Sequence, residues 1–76
     1  MKSLELKAAR VRRGYTQIDA AKALGISVTA YCDKEKGKRE FDDSQKLLLI
    51  GFLGLSLQET NDIFYDGELP SGVINK

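Results

Sequence analysis

The sequence has no His and no Trp, and only one Cys and one Pro among its 76 residues. Those shortages exclude whole classes of chemistry. The lone thiol, Cys32, has no second cysteine for an intramolecular disulfide, and without His nothing approaches a structural zinc set. Cys32 also lacks a histidine base to make it a nucleophile, and there is no Gly-x-x-x-x-Gly-Lys phosphate loop, so no enzymatic activity and no cofactor are expected. Long apolar runs are missing too. The longest, Leu47 to Leu55, is nine residues with two glycines, whereas crossing a bilayer takes about twenty. No apolar h-region or cleavage site follows Met1-Lys2-Ser3. The expectation is a cytoplasmic chain in a reducing compartment, with no membrane partner and no evident small-molecule ligand.

A chain of this length has room for one domain, which buries only about 60% of the surface its unfolded chain exposes, so stability is marginal unless packing is efficient or the chain dimerises. The net charge of +1 hides a partition. Residues 1–39 carry ten basic and four acidic side chains, a balance of +6, while residues 40–76 carry two and seven, a balance of −5. Such a dipolar domain presents a cationic surface to a polyanion and turns its acidic part away. Charge runs that are merely solvated helix faces are the plainer alternative.

Tight breaks at Gly14, Gly25, Gly37 and Gly54 separate short helical segments, and no strand-like alternation exceeds four residues. The first segment, about Ser3 to Arg13, sets Leu6 and Ala9 with Val11 or Arg13 on one side. Thr16 offers an N-cap hydroxyl and Asp19, three residues on, a carboxylate, which start a second helix at Gln17 that runs to Leu24. Eight residues are unstable alone, so this helix needs a partner. It follows at once: Ser27 caps a third helix, Val28 to Lys36, and the small side chain of Ala21 lets the two cross closely. A fourth helix begins near Asp42 or Asp43 and ends at Gly54, with Lys46, Leu49, Ile50 and Leu53 on a stripe that Leu47, Phe52 and Leu48 extend. Ser56-Leu57-Gln58-Glu59 is a capping box for a fifth, to about Phe64 or Tyr65. Residues 66–76 contain Gly and Pro and are expected to be an extended tail, leaving residues 1–65 as the domain.

Thr16-Gln17, Ala21, Gly25-Ile26-Ser27, Tyr31, Glu35 and Gly37-Lys38-Arg39 together resemble the Cro/C1-type, or XRE-like, helix-turn-helix family of phage repressors and bacterial regulators. The stretch Lys34 to Phe41 and the ending Asn61 to Pro70 look like small phage and prophage regulators of Gram-positive bacteria. The resemblance covers residue 4 to about 65. It implies an all-α, five-helix lambda-repressor-like domain whose helices two and three form the helix-turn-helix. It also implies a sequence-specific double-stranded DNA-binding transcriptional regulator with the third helix in the major groove.

Carried onto this chain, the base-reading positions are Val28, Thr29, Cys32 and Asp33. Tyr31 turns toward the body. Thr29 has a hydroxyl for a base edge, and its methyl and that of Val28 can meet a thymine methyl. Asp33 faces a polyanion unless it accepts from a cytosine amino group or is neutralised by Lys36 or Lys34. Gln17, Lys36, Lys38 and Arg39 are the expected phosphate contacts, with Arg12 and Arg13 in reserve. The resemblance further implies a structural ion pair between Arg10 and Glu35, with Arg10 free for DNA as the alternative. The sequence departs from the family where Lys34 replaces an apolar residue and where short side chains replace Gln or Arg at the first reading positions.

DNA sites of this kind are usually read by two domains. The candidate surface for a weak homodimer is Leu48, Leu55, Leu57, Phe64, Tyr65 and Leu69, with Val73 beyond them; the alternative is that most of these close the core and the chain is monomeric until DNA pairs it. A competing functional reading is a helix-turn-helix module that contacts a protein through its acidic half, as an antitoxin or anti-repressor does.

Overall fold

The computed structural model describes residues 1–65, which form five helices: α1 (Ser3–Arg12), α2 (Gln17–Leu24), α3 (Val28–Glu35), α4 (Asp43–Leu53) and α5 (Leu57–Phe64). No strand occurs among the described residues. The expected tail, including Leu69 and Val73, lies outside them. No helix among the described residues is long and apolar enough to cross a membrane.

Side-chain caps set the starts of α2, α3, α4 and α5, whereas α1 begins after Lys2 without one. Thr16, Asp42 and Ser56 each accept from the backbone N–H three residues on, and the side chains of Asp19, Gln45 and Glu59 accept from the capping residue's own N–H, giving three complete capping boxes. Ser27 caps α3 through the N–H of Ala30 at 3.1 Å. The turn between α2 and α3 depends on Gly25, whose φ of 70° is left-handed, so that the N–H of Ile26 reaches back to the Ala21 carbonyl at 3.1 Å. A residue with a Cβ is strained there.

α2 packs against α3 and α4, while α1 packs against α5 and α3. Leu6 and Ala9 of α1, Ala20, Ala21 and Leu24 of α2, Tyr31 of α3, Leu49 and Leu53 of α4 and Ile63 and Phe64 of α5 share one buried cluster with Phe41 and Leu55. Ala21 is 1% exposed, as a close crossing of short helices requires. The two ends of the domain meet: the N–H of Lys2 donates to the Ile63 carbonyl at 2.8 Å, and Arg12 and Arg13 both reach Glu59 of α5, at 3.3 and 3.0 Å.

One open alternative about facing is decided and two expectations are corrected. Val11 is exposed, and Arg13 is the residue that turns inward from the end of α1, toward Glu59. Leu47 and Leu48 point to solvent rather than extending the α4 core stripe, which Phe52 alone of the three joins. Leu55 and Phe64, 9% and 6% exposed, belong to the core and supply no dimer surface, because the α4–α5 turn and the end of α5 fold back onto Leu49, Phe41 and their neighbours.

Candidate nucleic-acid interface

The outward face of α3 follows from its period. Positions 28, 29, 32, 33 and 36 fall on one side of a helix, and position 31 falls opposite. Val28, Thr29 and Lys36 are exposed and Cys32 and Asp33 half-buried, whereas Tyr31 is fully buried. The aromatic ring of α3 thus faces inward, and a row of short side chains, Val28 among them, is left at the surface.

A saturated carboxylate holds the helix in that orientation. Glu35, 3% exposed, accepts four hydrogen bonds: from Arg10 Nε at 2.8 Å and Nη2 at 3.2 Å, from Tyr31 Oη at 2.8 Å and from Gln17 Nε2 at 3.0 Å. Arg10 Nη1 also donates to the Tyr15 carbonyl at 2.7 Å. Helices α1, α2 and α3 therefore converge on one anion, and Arg10, 6% exposed, is not free for DNA. Burial alone would raise the Glu35 pKa, but the hydrogen bonds from Arg10, Gln17 and Tyr31 outweigh it and hold the carboxyl below its usual range. Burial, with the same carboxylate alongside, pushes the Tyr31 phenol far up, so it stays a donor. The Arg10–Glu35 hydrogen bond, acting against desolvation, raises the guanidinium further.

The Gln17 side chain is committed on both sides, since its amide donates to Glu35 and its Oε1 accepts from Cys32 Sγ at 3.1 Å. What α2 retains for an anion is the main-chain N–H of its first turn, beyond the one that Thr16 caps. The thiol of Cys32 thus links the outward side of α3 to the buried pair through Gln17, a connection that no local sequence signal announces.

The segment after α3 carries the exposed cations Lys36, Lys38 and Arg39. It turns at Gly37, whose φ of 89° is a left-handed conformation that calls for glycine. The N–H groups of Lys38 and Arg39 then donate to the Asp33 carbonyl at 2.9 and 3.4 Å. Lys34, which the sequence offered as a neighbour to neutralise Asp33, is instead 8% exposed, with its Nζ donating to the Glu40 carbonyl at 2.8 Å and lying 6.0 Å from the centroid of the Phe41 ring. Arg12 and Arg13, the reserve phosphate contacts, are paired with Glu59. The main-chain N–H of Ser56 chiefly, together with these arginines, holds the Glu59 carboxyl below its ordinary value.

Comparison with protein families matches residues 6–59 to the helix-turn-helix family of Cro/C1, or XRE-like, type. This chain belongs to that family. Searches of the curated proteins and of the solved structures found no match. The family match and the five-helix, strand-free body agree with a lambda-repressor-like domain. The protein is a DNA-binding helix-turn-helix regulator in the general sense of its family, whose members are typically not enzymes.

Proposed function

We propose that this helix-turn-helix protein is a sequence-specific repressor of transcription that occupies a promoter-overlapping site on duplex DNA with α3 in the major groove. The observation that supports it best is the split of α3 into a buried, pinned side at Tyr31 and Glu35 and an accessible side at Val28 and Thr29. On this reading Val28, Thr29, Cys32 and Asp33 meet base edges. Lys36, Lys38 and Arg39 meet phosphates, joined by the first-turn backbone N–H groups of α2 at Gln17. The short reading side chains place much of the affinity in backbone contacts, which position without specifying.

Two variants test the division of labour. Lys38→Ala is expected to weaken binding equally on every duplex and to flatten the salt slope by about one, whereas Thr29→Ala relaxes preference at one base pair by about 1–3 kcal/mol. Equal loss on all sequences for both variants would remove Thr29 as a reader. Binding that ignores salt, or no binding at all, would remove DNA as the partner, because affinity should fall with log salt at about −0.9 per phosphate neutralised.

The surface left for a weak homodimer is narrower than the sequence suggested. It consists of Leu48 on α4 and Leu57 on α5, 51% and 76% exposed, joined by Leu47 at 70%. Tyr65 is half-buried, its ring 5.2 Å from Lys46 Nζ. Leucines left in water on these two helices favour a contact, and their small number agrees with an association that DNA completes.

A further inference from the structure

Lys34 is the buried charge that the interface described above leaves unused. A methionine of similar length would fill the space beside Tyr31 and Phe41 without taking an ammonium out of water, so packing does not call for a lysine there. What the ammonium adds is a tether. It spans from α3 to the Glu40 carbonyl at 2.8 Å, lies over the Phe41 ring and acts electrostatically on Asp42, the N-cap of α4. The near end of the same segment is fastened separately, where Lys38 and Arg39 donate their N–H groups to the Asp33 carbonyl. Two consecutive residues of α3, one through its carbonyl and one through its side chain, therefore fix both ends of the stretch that bears Lys38 and Arg39.

We propose that Lys34 is a positioning residue for DNA binding: from inside the domain it holds the Lys38–Arg39 segment in register with α3, so that phosphate and base contacts engage as one rigid unit. This rests on the assignment of Lys38 and Arg39 to phosphates. Without the tether the helix and core persist, while the cations sample positions off the phosphate and their attraction is spread over solvent. At 0.15 M salt the loss of a single phosphate contact lowers affinity about fivefold.

The test is a cycle of Lys34→Met, the pair Lys38→Ala with Arg39→Ala, and the three changes combined. Each is titrated with salt on a duplex selected from a random pool and on an unselected duplex of equal length. Lys34→Met is expected to keep its helical circular dichroism, lose about fivefold or more on both duplexes and flatten the salt slope by about one. The triple variant should bind no worse than Lys38→Ala/Arg39→Ala, and Lys34→Arg, which keeps a donor, should restore the slope. Losses that multiply in the triple variant, or a lower melting temperature with an unchanged slope, would overturn the role of Lys34 alone. If Lys38→Ala/Arg39→Ala binds like the parent, the phosphate assignment fails and the role of Lys34 fails with it. Should Lys34→Met not fold, hydrogen exchange at the Lys34 ammonium of the unaltered protein decides: its Nζ hydrogens must exchange more slowly than those of the exposed Lys36 and Lys38, as donation to the Glu40 carbonyl requires, and equally rapid exchange overturns the tether.

Discussion

Replacing Glu35 with Gln changes one atom and reverses the chemistry at the centre of the domain. The four donors on this carboxylate come from Arg10, Tyr31 and Gln17, and an amide NH2 in place of one oxygen sets donor against donor. It also leaves Arg10 as a buried cation without a counter-ion. Breaking a buried pair on one side costs about 3–5 kcal/mol. A 76-residue chain holds only about 4–11 kcal/mol in total, so Glu35→Gln should remove a large share of it. At about 4–8 °C per kcal/mol for a domain of this size, melting should fall by at least about 12 °C. The acid limb of the stability profile gives a second signature. The folded Glu35 pKa is depressed, so its contribution is complete above the unfolded value of about 4.3 and is lost as pH falls through the lower folded value. Glu35→Gln should lose that part of the acid response and keep the part due to Asp19, Asp42 and Glu59, whose carboxyls backbone hydrogen bonds chiefly hold low. Urea denaturation between pH 2 and pH 7 measures both effects. A variant within about 1 kcal/mol of the parent at pH 7 would refute the claim that this carboxylate organises the three helices.

Gly51→Ala should stabilise the monomer by about 1 kcal/mol, because Gly51 lies inside α4 without positive φ and an added Cβ meets nothing within 4 Å; a lower melting temperature at micromolar protein would count against it. Leu48→Lys should abolish self-association in sedimentation equilibrium while leaving the helical signal intact, since Leu48 is 51% exposed, and an unchanged association constant would move the dimer contact elsewhere. Ser27→Ala should cost about 1 kcal/mol through loss of the α3 cap to the Ala30 N–H, measured by thermal denaturation, with a neutral result showing that water caps the helix equally well.

The starts of α2 to α5 were legible because their signals are local: a Thr, Ser or Asp capping the N–H three residues away defines a helix start whatever the rest of the chain does. Facing was legible only where the pattern was sparse. Along α3 one aromatic among small and polar residues fixes the phase, and Tyr31 is buried accordingly. Along α4 the run Leu47-Leu48-Leu49-Ile50 is apolar on every side, so periodicity cannot tell Leu49, fully buried, from its exposed neighbours. The Arg10–Glu35 pair came from family resemblance, since no spacing rule joins positions 25 apart. The commitments of Gln17, Cys32 and Lys34 had no signal at all, because each is decided by what another helix or loop brings alongside.

The seam that joins Lys2 to Ile63 makes the folded chain a closed circuit. Drawing together points some sixty residues apart forfeits about 3–4 kcal/mol of chain freedom in its length-dependent part, close to the lower end of the stability expected for a domain of this size. The last helix therefore gains nothing by docking early. It docks only onto a formed α1, which α3 also holds through Arg10 and Glu35, so shortening the chain before Ile63 should remove the fifth helix and leave the first in place at lower stability.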